Sequence, residues 1–262
     1  MTTCREVILL AAHTINEFIF SQYYVLKKAV EKRADLYLLL EGDESIKSLL
    51  PADVQSYVFS IDSLKELKYN PIGETLIPGN NHFPVFLFYR DFPNYDYYWN
   101  IEYDVYFHGD WCAFFTAFDG IDADFISSHI EYFGQRPSWN WWNTMNVKTL
   151  SIPQQEYIKS FNPIYRISNI ALNYLNQVLS EGNSGHHEVF IPTILNNGGF
   201  LLLDYGGFGN FTPPEFNDRF YYVPYILDDY YADTTMRYRP LFDREKIEET
   251  SCNNKLYHPV KC

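Results

Sequence analysis

Cysteine is scarce: four residues in 262, at positions 4, 112, 252 and 262, with no C-x-x-C pair and no metal-ligand spacing. So few, so spread, read as free thiols of a reducing compartment, not as a disulfide framework. Long apolar runs are missing too. The first, Val7 to Ala12 after Arg5 and Glu6, is too short for a signal h-region or a membrane span, which needs about 20 residues. Positive charge is in short supply, Lys and Arg totalling 20 against 33 Asp and Glu, for a net charge of -13. With no basic stripe to offset that charge, a phosphate backbone would be repelled, and nucleic acid is not an expected partner. Internal repeats, low-complexity tracts and long charge blocks are absent. There is no G-x-S-x-G or Cys/His signature for nucleophilic hydrolysis and no H-E-x-x-H for a zinc protease. The expectation is a soluble, cytoplasmic chain without a transmembrane segment.

Aromatic side chains are abundant: 23 Tyr, 21 Phe and 5 Trp, within a 47% hydrophobic composition that excludes a disordered chain. Glu6–Ala11, Leu36–Leu40 and Tyr57–Phe59 read as short buried strands. Helical spacing over Glu17–Glu31, a brief helix over Asp62–Leu67 and another over residues 83–90 separate them. Tyr97–Tyr106 reads as a fourth strand, a helix follows around 110–118, and Ala123–Ser128 as a fifth strand. Pro153–Leu179 carries one long helical pattern, broken near Pro163. Strand and helix in this rhythm predict an α/β fold with a mostly parallel sheet covered by helices. The working division is a single domain, with an α/β half over 1–131 and a less regular half and C-terminal tail over 132–262.

Tyr98-Trp99-Asn100-Ile101-Glu102-Tyr103-Asp104-Val105 is the most informative stretch. Residues two apart on a strand share a face, so Glu102 and Asp104 are placed together. At a strand's carboxyl end, two carboxylates can hold Mg²⁺ or Mn²⁺ with substrate phosphates, or simply face solvent. Ser184-Gly185-His186-His187-Glu188 is the second signal. On a strand its two histidines would point apart and could not chelate together, and Glu188 also suits the first turn of a helix. Trp139-Asn140-Trp141-Trp142 lies in a turn-rich stretch, where flat faces suit sugar rings or close a core.

The strand order and the acidic E-x-D resemble a GT-A glycosyltransferase. Trp99-Asn100-Ile101-Glu102-Tyr103-Asp104, with the closing Tyr257-His258-Pro259-Val260-Lys261, is similar to a poorly characterised bacterial group of that predicted fold. The resemblance implies a GT-A-like single domain with helices on both sheet faces, 1–131 being its nucleotide-binding half and 132–262 its acceptor-binding half and C-terminal tail. It implies a divalent metal, Mn²⁺ or Mg²⁺, held by Asp104, Glu102 and His258. Glu102 stands where D-x-D enzymes have Asp, so Asp104 is the safer ligand. By the same resemblance His13, Asp43, Arg90 and Lys261 would contact a nucleotide-diphosphate sugar. For three of these a plainer role also fits: helix entry for His13, an N-cap for Asp43, and pairing with Asp91 or Asp96 for Arg90. Glu188 would deprotonate a glycan or other hydroxyl acceptor, and Trp139, Trp141 and Trp142 would bind it. Deleting 256–262 is expected to weaken metal and donor binding more than it lowers the melting temperature. The function expected is sugar transfer from a nucleotide-diphosphate donor, against a non-catalytic carbohydrate-binding protein or a metal-dependent phosphate-ester hydrolase.

Overall fold

The computed structural model describes residues 4–74, 76, 79–224, 233–251 and 253–261. Its first half follows the expected rhythm: β1 (Glu6–Ala12), α1 (Glu17–Val30), β2 (Ala34–Glu41), β3 (Ser56–Phe59), α2 (Ile61–Leu64), α3 (Phe83–Asp91) and β4 (Tyr97–Glu102). Asn16 starts α1 by accepting the Ile19 N–H, and Ser60 with Ser63 closes a capping box on α2. The second half adds β5 (Tyr106–His108), α4 (Trp111–Thr116), β6 (Phe125–Tyr132), β7 (Ile158–Ser168), α5 (Asn169–Ser180), α6 (His187–Asn197), β8 (Leu202–Asp204), α7 (Arg244–Glu248) and β9 (Lys255–Tyr257).

The described strands of the main sheet lie in the order β3-β2-β1-β4-β7-β6-β8. All run one way except β7, which is antiparallel to both its neighbours. Side chains alternate between two cores. Ile8, Leu10 and Trp99 pack on one face with Leu26 of α1 and Phe114 of α4. Val7, Leu9 and Tyr98 pack on the other with Phe86, Leu172 and Phe190 of α3, α5 and α6. The result is a mostly parallel α/β sheet with helices on both faces, as expected. β5 and β9 form a separate antiparallel ribbon that carries the tail back to the end of β4.

Three expectations are corrected. The fourth strand stops at Glu102 rather than Tyr106, because the Val105 N–H bonds the Glu102 carbonyl and turns the chain. The long helix over 153–179 does not form: its first half is β7, and the helix begins only at Asn169. Alternation is hidden there because β7 lies inside the sheet and buries polar side chains as well as apolar ones. Arg166 is 1% exposed, its two terminal nitrogens donating to the Phe118, Ile121 and Ala123 carbonyls and its guanidinium lying over the Tyr97 ring. Pro163 is tolerated because it falls beyond the β4 ladder and within an irregular stretch of the β6 pairing. Finally, His187 stands on a helix and not on a strand, while Glu188 takes the first-turn place expected of it.

Cys4 and Cys112 are exposed free thiols, and Cys252 and Cys262 lie outside the described residues. No helix among the described residues is long and apolar enough to cross a membrane.

Candidate functional site

β4 delivers Glu102 as its last residue, and the turn after it swings Asp104 back beside that carboxylate. The two therefore meet through a turn, not through strand parity. The Asp104 carbonyl accepts the Val260 N–H, which docks the tail against this turn. His258, next after β9, then reaches in: its Nε2 lies 3.4 Å from Glu102 Oε2 and 3.5 Å from Asp104 Oδ1. Among the described residues these three form the one group of His, Cys, Asp or Glu with ligand atoms all within 4.8 Å of one another. The Arg237 carbonyl lies 2.8 Å from His258 Nδ1. A carbonyl can only accept, so Nδ1 carries a proton and a neutral ring presents the Nε2 lone pair to the carboxylates. Two carboxylates and an imidazole form a donor set that suits a divalent first-row ion or Mg²⁺.

The electrostatics follow from burial and from the charges of the neighbours. Burial raises the Asp104 carboxyl, partly offset by the His258 charge, and Glu102 raises it further. Burial pulls the His258 ring down, but the hydrogen bond to Glu102 and the charges of Asp104 and Glu102 outweigh it and raise the ring above its ordinary value. Asn81, just before α3, donates its amide to Glu102 Oε1 at 3.3 Å.

Glu188 sits in the first turn of α6, close enough for Glu102 and His258 to act on its charge. Pro192 in that helix has no N–H to offer the carbonyl four residues back. The carbonyl concerned is that of Glu188, and the Ser160 hydroxyl of β7 lies 3.4 Å from it as donor. The side chain is held as well, Oε1 lying 3.4 Å from the Asn162 N–H. Burial pushes this carboxyl up to about 7, opposed by buried Lys159 and the Asn162 N–H. Lys159 is 2% exposed, 3.8 Å from Glu131, and donates to the His129 carbonyl.

His13 and Asp43 follow the carboxyl ends of β1 and β2, on the same rim as Glu102. His13 is exposed, its ring edge-on to Tyr103 at 5.1 Å, and Asp43 caps the short helix at Glu44–Leu49. Lys261 is exposed and hangs from the Phe242 carbonyl by its backbone. Arg90 is not brought to this group: in the last turn of α3 it pairs with Glu66 and Asp91.

The tryptophans serve the interior more than a surface. Trp142 is 2% exposed and donates to the Arg136 carbonyl, Trp139 packs edge-on to it, and Trp141 stacks on His186 at 4.6 Å. Nor is the tail a loose end: Leu256, Tyr257 and Val260 are 0%, 5% and 1% exposed. Each contributes about 1.5–3 kcal/mol of burial. Deletion of 256–262 would thus remove core, and point substitution is the cleaner probe. A cavity of about 380 Å³ opens beside the site, lined among others by His129, Glu131, Asp204, Phe208 and Tyr221. The Phe161 ring links the two, 6.2 Å from His129 in the cavity wall and 5.3 Å from His258.

Sequence reasoning missed Asn81, Asn162, Lys159 and His186. Only His186 left a trace, as the residue before a first-turn acid; the others are defined by which strand ends meet.

A family model described as a protein of unknown function (DUF3405) matches residues 56–124, the stretch that holds Glu102 and Asp104. No curated protein matches the chain. Among solved structures, the chain is similar to a Bacillus anthracis protein described as a glucose-1-phosphate thymidylyltransferase, in complex with sucrose. The identity is 12% and the TM-score 0.43, over 78% of this chain and 88% of that one.

Proposed function

We propose that the chain is a glycosyltransferase, moving a sugar from a nucleotide-diphosphate donor to a hydroxyl acceptor with Mn²⁺ or Mg²⁺ bound at Glu102, Asp104 and His258. The observation that carries this reading is the convergence of those three ligand atoms within 4.8 Å at the carboxyl end of β4, with Glu188 nearby on α6. That edge of an open α/β sheet is where ligands bind. When bound, the ion supplies positive charge against the departing diphosphate.

The chain's own groups divide the remaining work. Glu102 and Asp104 give oxygen ligands, and His258 gives its Nε2 lone pair once the proton there is displaced. His13 and Asp43 line the rim toward the base and ribose, and Lys261 offers an exposed cation to the phosphates. Glu188 takes the proton of the acceptor hydroxyl; a carboxyl raised to about 7 is a stronger base than an ordinary one and is still half ionised at neutral pH. The acceptor enters through the cavity beside Phe208 and Tyr221 rather than over the tryptophans, whose faces are largely taken.

Calorimetric titration of nucleoside diphosphates with Mn²⁺ and with a chelator tests the reading. Binding that requires Mn²⁺ and is lost in Asp104→Asn supports it. Nucleotide binding indifferent to the ion and to that substitution overturns it. Binding of free sugars alone would indicate a carbohydrate-binding protein, and turnover of simple phosphate esters a hydrolase.

A further inference from the structure

The turn after β8 sets three glycines around a single large side chain, Gly206-Gly207-Phe208-Gly209. Buried Asp204 holds that turn from below. Its Oδ1 accepts the Gly206 and Gly207 N–H groups at 2.9 and 2.8 Å, and its Oδ2 accepts the Ile130 N–H of β6 at 3.0 Å. The Tyr221 hydroxyl lies against the same two oxygens at 2.9 and 3.0 Å. Close approach requires the glycines: a Cβ on Gly206 would run into the Tyr221 ring, and one on Gly207 would stand 2.8 Å from its hydroxyl. The turn is thus fixed against β6, and the one large side chain it projects, Phe208, is 61% exposed. A lone exposed ring would mean little, but this one stands in the wall of the cavity of about 380 Å³.

β6 bends to form another part of that wall. Its pairing with β7 slips between Ile126 and Ser128 and again between Ser128 and Glu131, and His129 takes φ +49°, a left-handed conformation rare for a residue with a side chain. Irregularities of this kind re-aim side chains beside sites. Here His129 and Glu131 line the cavity, with Gln135 just beyond the strand. Arg136 Nε at 3.0 Å and Lys159 Nζ at 3.8 Å fix the place of the Glu131 carboxylate, a group able to accept at about four positions. Gln135 spends its amide oxygen on the Tyr132 N–H, and its amide nitrogen is a donor.

We propose that this cavity is a saccharide site, taking a pyranose ring with one face stacked on Phe208 and its hydroxyls bonded to Glu131 and Gln135. The chemistry selects the class. A pyranose has a C–H face that packs on an aromatic ring and a rim of hydroxyls that both donate and accept, matching a carboxylate on one side and an amide on the other. An alkyl chain would set the Glu131 carboxylate against hydrocarbon, at a cost in desolvation. The volume lies at the small end of ligand pockets, about 300–1,000 Å³, with room for a small saccharide and not for a protein surface. That the saccharide is the acceptor rests on the reading of the chain as a transferase. The Phe161 ring, which links the cavity wall to His258, keeps the two sites adjacent.

The test is a ¹H–¹⁵N NMR titration with the methyl pyranosides of glucose, galactose and mannose, and with n-butanol, read at the Gly206, Gly207 and Gly209 amides. At least one glycoside should shift these amides saturably in the millimolar range. Phe208→Ala should weaken that binding about tenfold, the worth of one aromatic stack, while Phe208→Trp, which keeps a flat face, should retain it. The exposure of Phe208 makes both variants safe for the fold. The proposal is overturned if no glycoside saturates, if Phe208→Ala binds as the parent does, or if n-butanol shifts the same amides at the same concentrations. Nucleoside diphosphates with Mn²⁺ are titrated into the same samples to separate the two readings. Metal-dependent nucleotide binding without any glycoside binding sinks the saccharide site and leaves the transferase standing. Glycoside binding through Phe208 without nucleotide binding upholds the site and sinks the transferase.

Discussion

Replacing His258 by Gln removes the cation from the Glu102–Asp104 pair while keeping a side chain of similar reach. Against the burial that lowers it, the two carboxylates at 3.4 Å and 3.5 Å favour the charged form of the ring and raise it above its ordinary value. With Gln there, Glu102 and Asp104 face each other uncompensated. Two like charges about 4 Å apart repel by about 4 kcal/mol at the effective dielectric of a protein surface. Their side chains are 25% and 21% exposed. Solvent, together with proton uptake by Asp104, therefore relieves part of this, and about 2 kcal/mol of stability should be lost. That corresponds to a melting temperature lower by about 4–8 °C for a domain of this size. The pH dependence gives the sign. A raised carboxyl pKa contributes a penalty that grows as pH rises through the folded value, so the variant should approach the parent in stability toward pH 4. His258, also raised, gives the parent stability that is complete below 6.5 and lost as pH rises through its folded pKa. The parent should therefore weaken from pH 6.5 upward along a slope the variant lacks. Urea unfolding between pH 4 and 8.5 in chelator measures both curves. Saturating Mn²⁺ should restore the variant, by about 2.7 kcal/mol at a hundred times its Kd. Superimposable curves for variant and parent, with no response to Mn²⁺, would refute the coupling of these three side chains.

Glu188→Gln should retain Mn²⁺-dependent nucleotide binding and lose about 10²–10⁴-fold in turnover, measured once a donor is identified. Parent kcat/KM should rise with pH through about 7 as Glu188 ionises; a profile flat down to pH 5 would assign the base elsewhere. Mn²⁺ affinity should fall about tenfold per pH unit below the His258 pKa, starting above 6.5, because the ion must displace the Nε2 proton. Equal affinity at pH 7.5 and 5.5 would rule out imidazole ligation. Trp142→Ala should cost about 3–5 kcal/mol by emptying a site that is 2% exposed, and a loss under 1 kcal/mol in chemical denaturation would return Trp142 to the surface.

The residues by themselves determined the local elements whose apolar pattern matched their burial. Val7–Leu10 and Leu38–Leu40 are continuous apolar runs because parallel strands with helices on both faces leave no side for water. Glu102 and Asp104 were legible because two carboxylates at a strand end form a local feature that needs no distant partner to be noticed. β7 was not legible, since a strand paired on both edges can bury Asn162 and Arg166 where neighbouring carbonyls and hydroxyls bond to them. Only the tertiary structure decided that Asp104 reaches Glu102 through a turn, and that Arg90 stays with Glu66 and Asp91. It also set His258, far along the chain, beside both carboxylates: the β5–β9 pairing and the Val260 bond to Asp104 hold the tail there. Such contacts depend on which strand ends are neighbours, a property of sheet order that no short stretch of sequence contains.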